Sequence, residues 1–263
     1  MRLRSVGGLF LIKVGRFVQL LAIMVMKPRD LVEFSRRYYR DTKSLERYGR
    51  TSLIEAGLTA LERSYLDQLP EKRGRLLLLG LGGGREAIAL ARMGFEITGV
   101  DFSSEMVEKA KENTRRYGVE ISALVQDFTN LDLPENSYDI AWLSAITYSA
   151  VPTRKWRVET LRRIINVLRP GGHFICEFLW SRPPSYPFLI EFLRKALALI
   201  TLGYTRYEKG DMLWDNQQFL HAFYSEKDVL LEFSGAGFET VFFKTPENYD
   251  NRGRAVLRKP LCS

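Results

Sequence analysis

Three glycines at alternate positions, Gly80, Gly82 and Gly84, interrupt the stretch LLLLGLGGGREAIAL at residues 76–90. Glycine lets a backbone approach a ligand closely and turn through positive φ at little cost. A helix starting near Arg85 would then offer unpaired N–H groups to a carboxylate. Two nucleotide-site fingerprints do not fit. A dinucleotide site needs a third glycine at position 85, which is Arg. A phosphate-cradling loop needs Gly-Lys followed by Ser or Thr, which the stretch lacks.

Two further segments narrow the chemistry. TGVDFSS places Asp101 and Phe102 at the end of a second apolar run, with Asp101 17 residues past Gly84. A carboxylate there can accept both hydroxyls of a ribose. VQDFTN places Asp127 and Phe128 at the end of a third run, where they can meet the amino group and ring face of an adenine. All three groups then lie at the carboxyl ends of neighbouring strands, where open α/β sheets bind ligands.

The elements that position them follow from the pattern. Short apolar runs alternate with helical stretches from Arg75 onward, the mark of a parallel sheet with crossover helices. The expected strands are 75–80, 95–100, 121–126, 138–143, 173–178, 238–244 and 253–259. Helices are expected at about 85–93, 103–117, 153–168 and 188–202, and one longer helix from Ser44 to Leu69. The segment around GYTRYEKGDMLWDNQQFLHAF reads as irregular. The fold class is α/β: a doubly wound, mostly parallel seven-stranded Rossmann-like sheet. Residues 1–70 form an N-terminal helical extension, and residues 71–263 a domain with a helical cap inserted at 181–220.

These residues resemble the class I S-adenosylmethionine-dependent methyltransferases, well over Arg75 to Phe178 and weakly from His221 onward. The resemblance implies S-adenosyl-L-methionine as cofactor. It assigns the cofactor's amino-acid end to Gly80, Gly82 and Gly84, its ribose to Asp101 with Phe102 beside it, and its adenine to Asp127 and Phe128. ENSYDIAWLSAITYSAVP resembles the family's fourth-strand motif, and LRPGGHFICEF its turn into the fifth strand. The GGGREAIALARMGFEITGVDFSSEMVEKAK run is close to members with small or lipophilic acceptors. One position departs from the pattern: the acid usual two residues before the first glycine is Leu78.

A sulfonium-bound methyl is already activated, so the protein's work is alignment and exclusion of water. A hydroxyl or ammonium acceptor must also lose a proton. His221 is the candidate base, with a buried histidine satisfied by backbone as the alternative. Tyr148, just past the fourth strand, either lines the acceptor site or packs. Tyr39, next to Tyr38, is the candidate lid over the cofactor. No metal is expected: the two histidines, His173 and His221, cannot build a His-rich site. LSAITY carries neither the Asn/Asp-Pro-Pro-aromatic signature of amino-directed DNA methyltransferases nor the acids that aminopropyl transfer needs.

The net charge of +8 sits at one end. Residues 1–50 hold 12 Lys/Arg against 4 Asp/Glu, and the rest of the chain holds 27 of each. A nucleic-acid enzyme would more often spread basic residues around its active face. On a helical wheel over about 5–26, Arg2, Ser5, Lys13, Arg16, Gln19 and Lys27 share a side, and only Arg4 is misplaced. The pattern suits a helix lying in an anionic membrane interface, with Leu9, Phe10, Phe17, Leu21 and Met24 in the acyl boundary. The alternatives are packing on the domain or on a second subunit, as in a homo-oligomer, and a true span, against which Lys13, Arg16 and Gln19 interrupt the apolar run. With the apolar segment 188–202, this points to a small-molecule or lipid acceptor and to a cytoplasmic protein peripheral on the inner face of the membrane. The rivals are a soluble small-molecule methyltransferase dimerised by its first helix, and a non-catalytic cofactor-binding scaffold. Two cysteines, Cys176 and Cys262, without ligand spacing suit a reducing compartment.

Overall fold

The computed structural model describes residues 3–183, 185–215, 217–246 and 251–261. Arg2 and Cys262, and the side chains of Arg4, Ser5 and Arg16, lie outside the described residues. Five helices come first: α1 (Leu3–Val25), α2 (Pro28–Arg40), α3 (Thr42–Tyr48), α4 (Thr51–Ala56) and α5 (Ala60–Asp67). Strands and helices then alternate as β1 (Gly74–Leu79), α6 (Arg85–Arg92), β2 (Phe95–Asp101), α7 (Ser104–Arg116), β3 (Ser122–Val125), β4 (Tyr138–Leu143), α8 (Arg154–Val167) and β5 (Leu168–Leu179). The remainder is α9 (Phe188–Ile200), a hairpin of β6 (Asp211–Trp214) and β7 (Gln218–His221), α10 (Glu226–Gly235), β8 (Glu239–Lys244) and β9 (Arg252–Arg258).

Seven strands form one sheet in the order β3-β2-β1-β4-β5-β9-β8. The first five are parallel, and β9 runs antiparallel to both its neighbours. The strand order reverses between β1 and β4, so the crevice of a doubly wound sheet opens at their carboxyl ends. The four leucines explain why β1 lies at the centre. Leu76, Leu77, Leu78 and Leu79 are all fully buried, and only a strand covered on both faces can bury an unbroken apolar run. Leu77 and Leu79 join the core with Ile164 and Phe233. Leu76 and Leu78 join the core with Tyr65, Ala87 and Leu90 on the other face. Each such leucine contributes about 1.5–3 kcal/mol through burial.

The structure corrects three expectations. Residues 44–69 are three short helices, not one. Gly49 and Gly57 cap α3 and α4, and Gly57 adopts φ +60°. Thr59 then restarts the chain as an N-cap whose hydroxyl accepts from the Glu62 amide, while Glu62 accepts from Thr59 N–H. The supposedly irregular stretch before His221 contains the β6–β7 hairpin, and α9 stops at Ile200 rather than Leu202.

The first helix divides into two parts. Ile23 and Met24 are buried with Leu31, Ala198, Tyr204 and Phe219. Met24 therefore belongs to the protein core, not to an acyl boundary. The part before Gln19 stands clear: Leu9, Phe10, Leu11 and Ile12 are each 51–69% exposed. Four consecutive exposed residues cover a full turn, so this turn is exposed on every side. Val6–Val25 is long and apolar enough to cross a membrane by length and composition, with Lys13 and Arg16 inside it.

Candidate active site

The glycine loop leaves β1 at the switch point. Gly80, Gly82 and Gly84 all have positive φ, at 85°, 50° and 89°. Non-glycine residues at such angles carry roughly 1–2 kcal/mol of strain. A Cβ at Gly82 would meet nothing within 4 Å, so this residue faces open space. Gly83, which the alternate-glycine pattern passed over, has a different reason to be glycine. A Cβ there would collide with the carbonyl of Tyr48, at the end of α3. The side-chain amide of Asn113 on α7 donates to the Gly83 carbonyl at 2.8 Å and pins the loop from the other side.

Asp101 clamps the loop to the end of β2. Its Oδ2 accepts from Gly82 N–H at 2.9 Å, and its Oδ1 from Ser103 N–H at 3.0 Å. Burial pushes its carboxyl up, and the backbone donors Ser103, Gly82 and Phe102 pull against that. A carboxylate has about four lone-pair positions, so these backbone donors leave acceptor capacity for a ligand hydroxyl.

The N-terminal extension closes over this region. The Tyr39 ring on α2 meets Phe102 edge-on, with centroids 6.3 Å apart. Its hydroxyl donates to Gln218 Oε1 on β7 at 2.8 Å. Burial, then the neighbouring Tyr48, Tyr38 and Asp101, push the Tyr39 phenol up, so it stays a neutral donor. Arg36 and Arg40 lie over the Phe102 ring at 5.3 and 5.8 Å. Arg36 also pairs with Asp127 Oδ2, while Asp127 Oδ1 accepts from the amide and hydroxyl of Thr129. Asp127 therefore ties α2 to the end of β3, with one acceptor position left on Oδ2. Phe128 begins a short 3₁₀ turn at 128–130 and packs on the sheet core. No local pattern in the sequence pairs residues 36 and 127.

His221 and Tyr148 stand in a buried ionic network under the hairpin. His221 Nδ1 lies 2.7 Å from Asp211 Oδ1, and its Nε2 3.9 Å from Glu208 Oε2. Arg157 donates to Glu208 at 2.6 Å and to both oxygens of Glu232. The Tyr148 hydroxyl donates to Glu232 at 2.6 Å, and the residue is fully buried, which holds its phenol well above its ordinary range. Tyr148 is thus committed to Glu232 rather than turned to the glycine loop. Side chains alternate along β7. Gln218 meets Tyr39 and Leu220 packs beside Ile146, whereas Phe219 and His221 face the other way. His173 is buried, with Nδ1 3.1 Å from Glu71. A separate cleft of about 470 Å³ lies between α1, α9 and the hairpin, lined among others by Leu20, Ile23, Arg194 and Asp211.

Comparison with known proteins places this geometry. Residues 76–172 match the family model described as a methyltransferase domain. The chain is 34% identical over 104 residues to YqeM of Bacillus subtilis, a methyltransferase by name, covering 40% of this chain and 41% of that one. It is 28% identical over 162 residues to demethylmenaquinone methyltransferase of Chlamydia trachomatis, covering 60% and 67%. It is 31% identical over 133 residues to ubiquinone biosynthesis O-methyltransferase of Alkalilimnicola ehrlichii, covering 49% and 51%. The alignments thus span between 41% and 67% of these relatives' length. A crystal structure of an S-adenosylmethionine-dependent methyltransferase from Methanosarcina mazei superposes with a TM-score of 0.59 at 21% identity, covering 78% of this chain and 99% of that one. Residues 76–172 thus match a methyltransferase domain, and the chain has the fold of this S-adenosylmethionine-dependent methyltransferase.

The two middle glycines should respond differently to alanine. Gly83→Ala should lower stability by about 1–3 kcal/mol, because backbone must move, measured by urea denaturation. Gly82→Ala should cost no more than the left-handed strain of about 1–2 kcal/mol and chiefly obstruct ligand. Equal stability losses would contradict the placement of α3 on the loop.

Proposed function

We propose that this methyltransferase-domain chain transfers a methyl group from S-adenosyl-L-methionine to a small lipophilic acceptor, a hydroxyl or amine, at a membrane surface. The observation that carries the reading is the Gly82–Asp101 clamp. It joins a glycine loop open toward ligand to a carboxylate with acceptor capacity to spare, at the switch point of the sheet. The sulfonium supplies the activated methyl. The chain's residues bind and orient: the α6 amino end faces the amino-acid carboxylate, Asp101 the ribose hydroxyls, and Asp127 and Phe128 the adenine. Tyr39 and Arg36 close α2 over them and exclude water. Residues 1–70 then act as the lid-bearing extension, and the insertion 181–220 as the cap over the acceptor.

The acceptor class draws on two supports. Relatives are named for demethylmenaquinone and ubiquinone biosynthesis. The cleft is bordered by α9 through Glu191 and Arg194, and the same helix exposes apolar side chains, with Phe188 86% and Ile200 82% exposed. A phenolic quinone precursor fits both. Turnover of methyl-labelled cofactor against a lipid extract tests the activity, and no labelled product from any fraction would contradict it. Calorimetry tests the site: S-adenosylhomocysteine should bind, and Asp101→Ala should weaken it by ~1.5–3 kcal/mol, the scale of hydrogen bonds to a charged group. Unchanged affinity would remove the ribose assignment.

His221 keeps two readings. Asp211 at Nδ1 leaves Nε2 as the proton acceptor, the arrangement of an oriented base. Its place on the far side of β7 from Gln218 favours a role in holding the cap. As the base, His221→Ala should lower the rate by about 10²–10⁴ with cofactor affinity intact. A loss under tenfold, with lowered melting temperature, assigns it to the network.

For the membrane, Lys13 and the exposed turns of α1 supply a basic and apolar surface. Each basic residue near anionic lipid contributes on the order of 1 kcal/mol, screened by salt. The full chain should sediment with anionic vesicles at low salt and less at high salt. A chain lacking residues 1–18 should stay in solution with its cofactor site intact. Sedimentation that ignores salt would favour a spanning helix. No sedimentation, with a dimer that dissociates on truncation, would favour the oligomer reading.

A further inference from the structure

The family's usual acid before the glycine loop is absent, and Leu78 in its place is fully buried among apolar side chains. An ammonium group bound beside the loop would lack an anion from that position. The structure offers another carboxylate from the same side of the sheet. Glu86 lies in the first turn of α6, whose Ala87 and Leu90 share the core of Leu78. Glu86 is 8% exposed. Its Oε1 accepts from Ser144 Oγ at 2.8 Å and from Arg85 at 2.7 Å. Its Oε2 takes no hydrogen bond from the described residues. Ser144 directly follows β4, its amide donates to the Leu79 carbonyl at 3.0 Å, and a Cβ on Gly80 would touch its side chain at 3.7 Å. The Glu86 carboxylate therefore reaches the switch-point crevice beside the first glycine.

Charge completes the argument. Arg85 is shared by two carboxylates: it meets Glu62 at 2.5 Å and Glu86 at 2.7 Å, all three mostly buried. One guanidinium against two carboxylates leaves one negative charge uncompensated by side chains. The amino end of α6 offsets part of it, with about half a charge spread over its free N–H groups. Buried charge in this state favours a cationic partner.

We propose that Glu86, oriented by Ser144 and Arg85, takes the α-ammonium of the cofactor's amino-acid end, replacing the acid that Leu78 lacks. The assignment rests on the S-adenosylmethionine reading above and adds the residue that recognises this end. It separates two duties at one helix turn: the α6 amides face the carboxylate, and Glu86 the ammonium. A ligand lacking the amino group loses that contact alone.

The test compares S-adenosylhomocysteine with its desamino analogue by calorimetry. Wild-type protein should bind the desamino compound about 10- to 100-fold more weakly, the range for a charge-assisted hydrogen bond. Glu86→Gln should weaken S-adenosylhomocysteine by a similar factor and leave the desamino compound within threefold. A Glu86→Gln variant that weakens both ligands equally would show a merely structural carboxylate and overturn the proposal. So would one that weakens neither. If the variant does not fold, the wild-type pair still decides, because equal affinity for the two ligands would mean that no anion meets the ammonium. Wild-type protein that binds neither ligand would overturn the cofactor reading itself, a result distinct from the other outcomes.

Discussion

The chain must leave β1 at the one point of the sheet where neighbouring crossovers diverge, and turn at once into α6. That turn is where everything else meets. Gly82 N–H is held by Asp101 from β2, the Gly83 carbonyl by Asn113 from α7, and the Gly83 Cα is pressed by the Tyr48 backbone of α3. A loop so constrained disfavours side chains everywhere except at Leu81, whose side chain is buried in the core. Left-handed angles exclude them at 80, 82 and 84, and contact excludes one at 83. The loop is thereby rigid before any ligand arrives, which reduces the ordering that binding would otherwise require.

The N-terminal extension connects this loop to the cap. α2 reaches both: Arg36 pairs with Asp127 at the end of β3, Tyr39 donates to Gln218, and Ser35 Oγ accepts from Phe219 N–H at 2.8 Å. The same helix follows directly from the buried end of α1, where Tyr204 N–H donates to the Met24 carbonyl at 2.9 Å. The buried end of α1, α2 and the β6–β7 hairpin thus form one connected unit. α1 and α2 are therefore joined to the hairpin by hydrogen bonds and packed side chains rather than by a loose linker.

Much of this was legible in the sequence, for physical reasons that differ by residue. An unbroken leucine run can only be a strand buried on both faces, and glycines at its end can only serve a turn that side chains would block. Asp101 was readable because it ends the next strand. Other features depend on partners distant in sequence. Arg36 finds Asp127 across 91 residues, and Tyr148 finds Glu232 across 84. Gly83 is required by the Tyr48 backbone, and Glu86 gains its meaning from Ser144. The break-up of residues 44–69 was marked by Gly49, Gly57 and the Thr59–Glu62 pair, local signals that a long apolar periodicity overrode. The hairpin before His221 was hidden because its strands have four residues each, too short for alternation to stand out.

The account's central claim is that the glycine loop, Asp101 and the α2 lid enclose one ligand. Amide hydrogen exchange with and without S-adenosylhomocysteine tests it most directly. Protection should rise at three separate stretches: residues 80–84, residues 101–103, and α2 around Arg36 to Arg40. Slowing confined to the cleft between α1, α9 and the hairpin, with the loop and α2 unchanged, would contradict it.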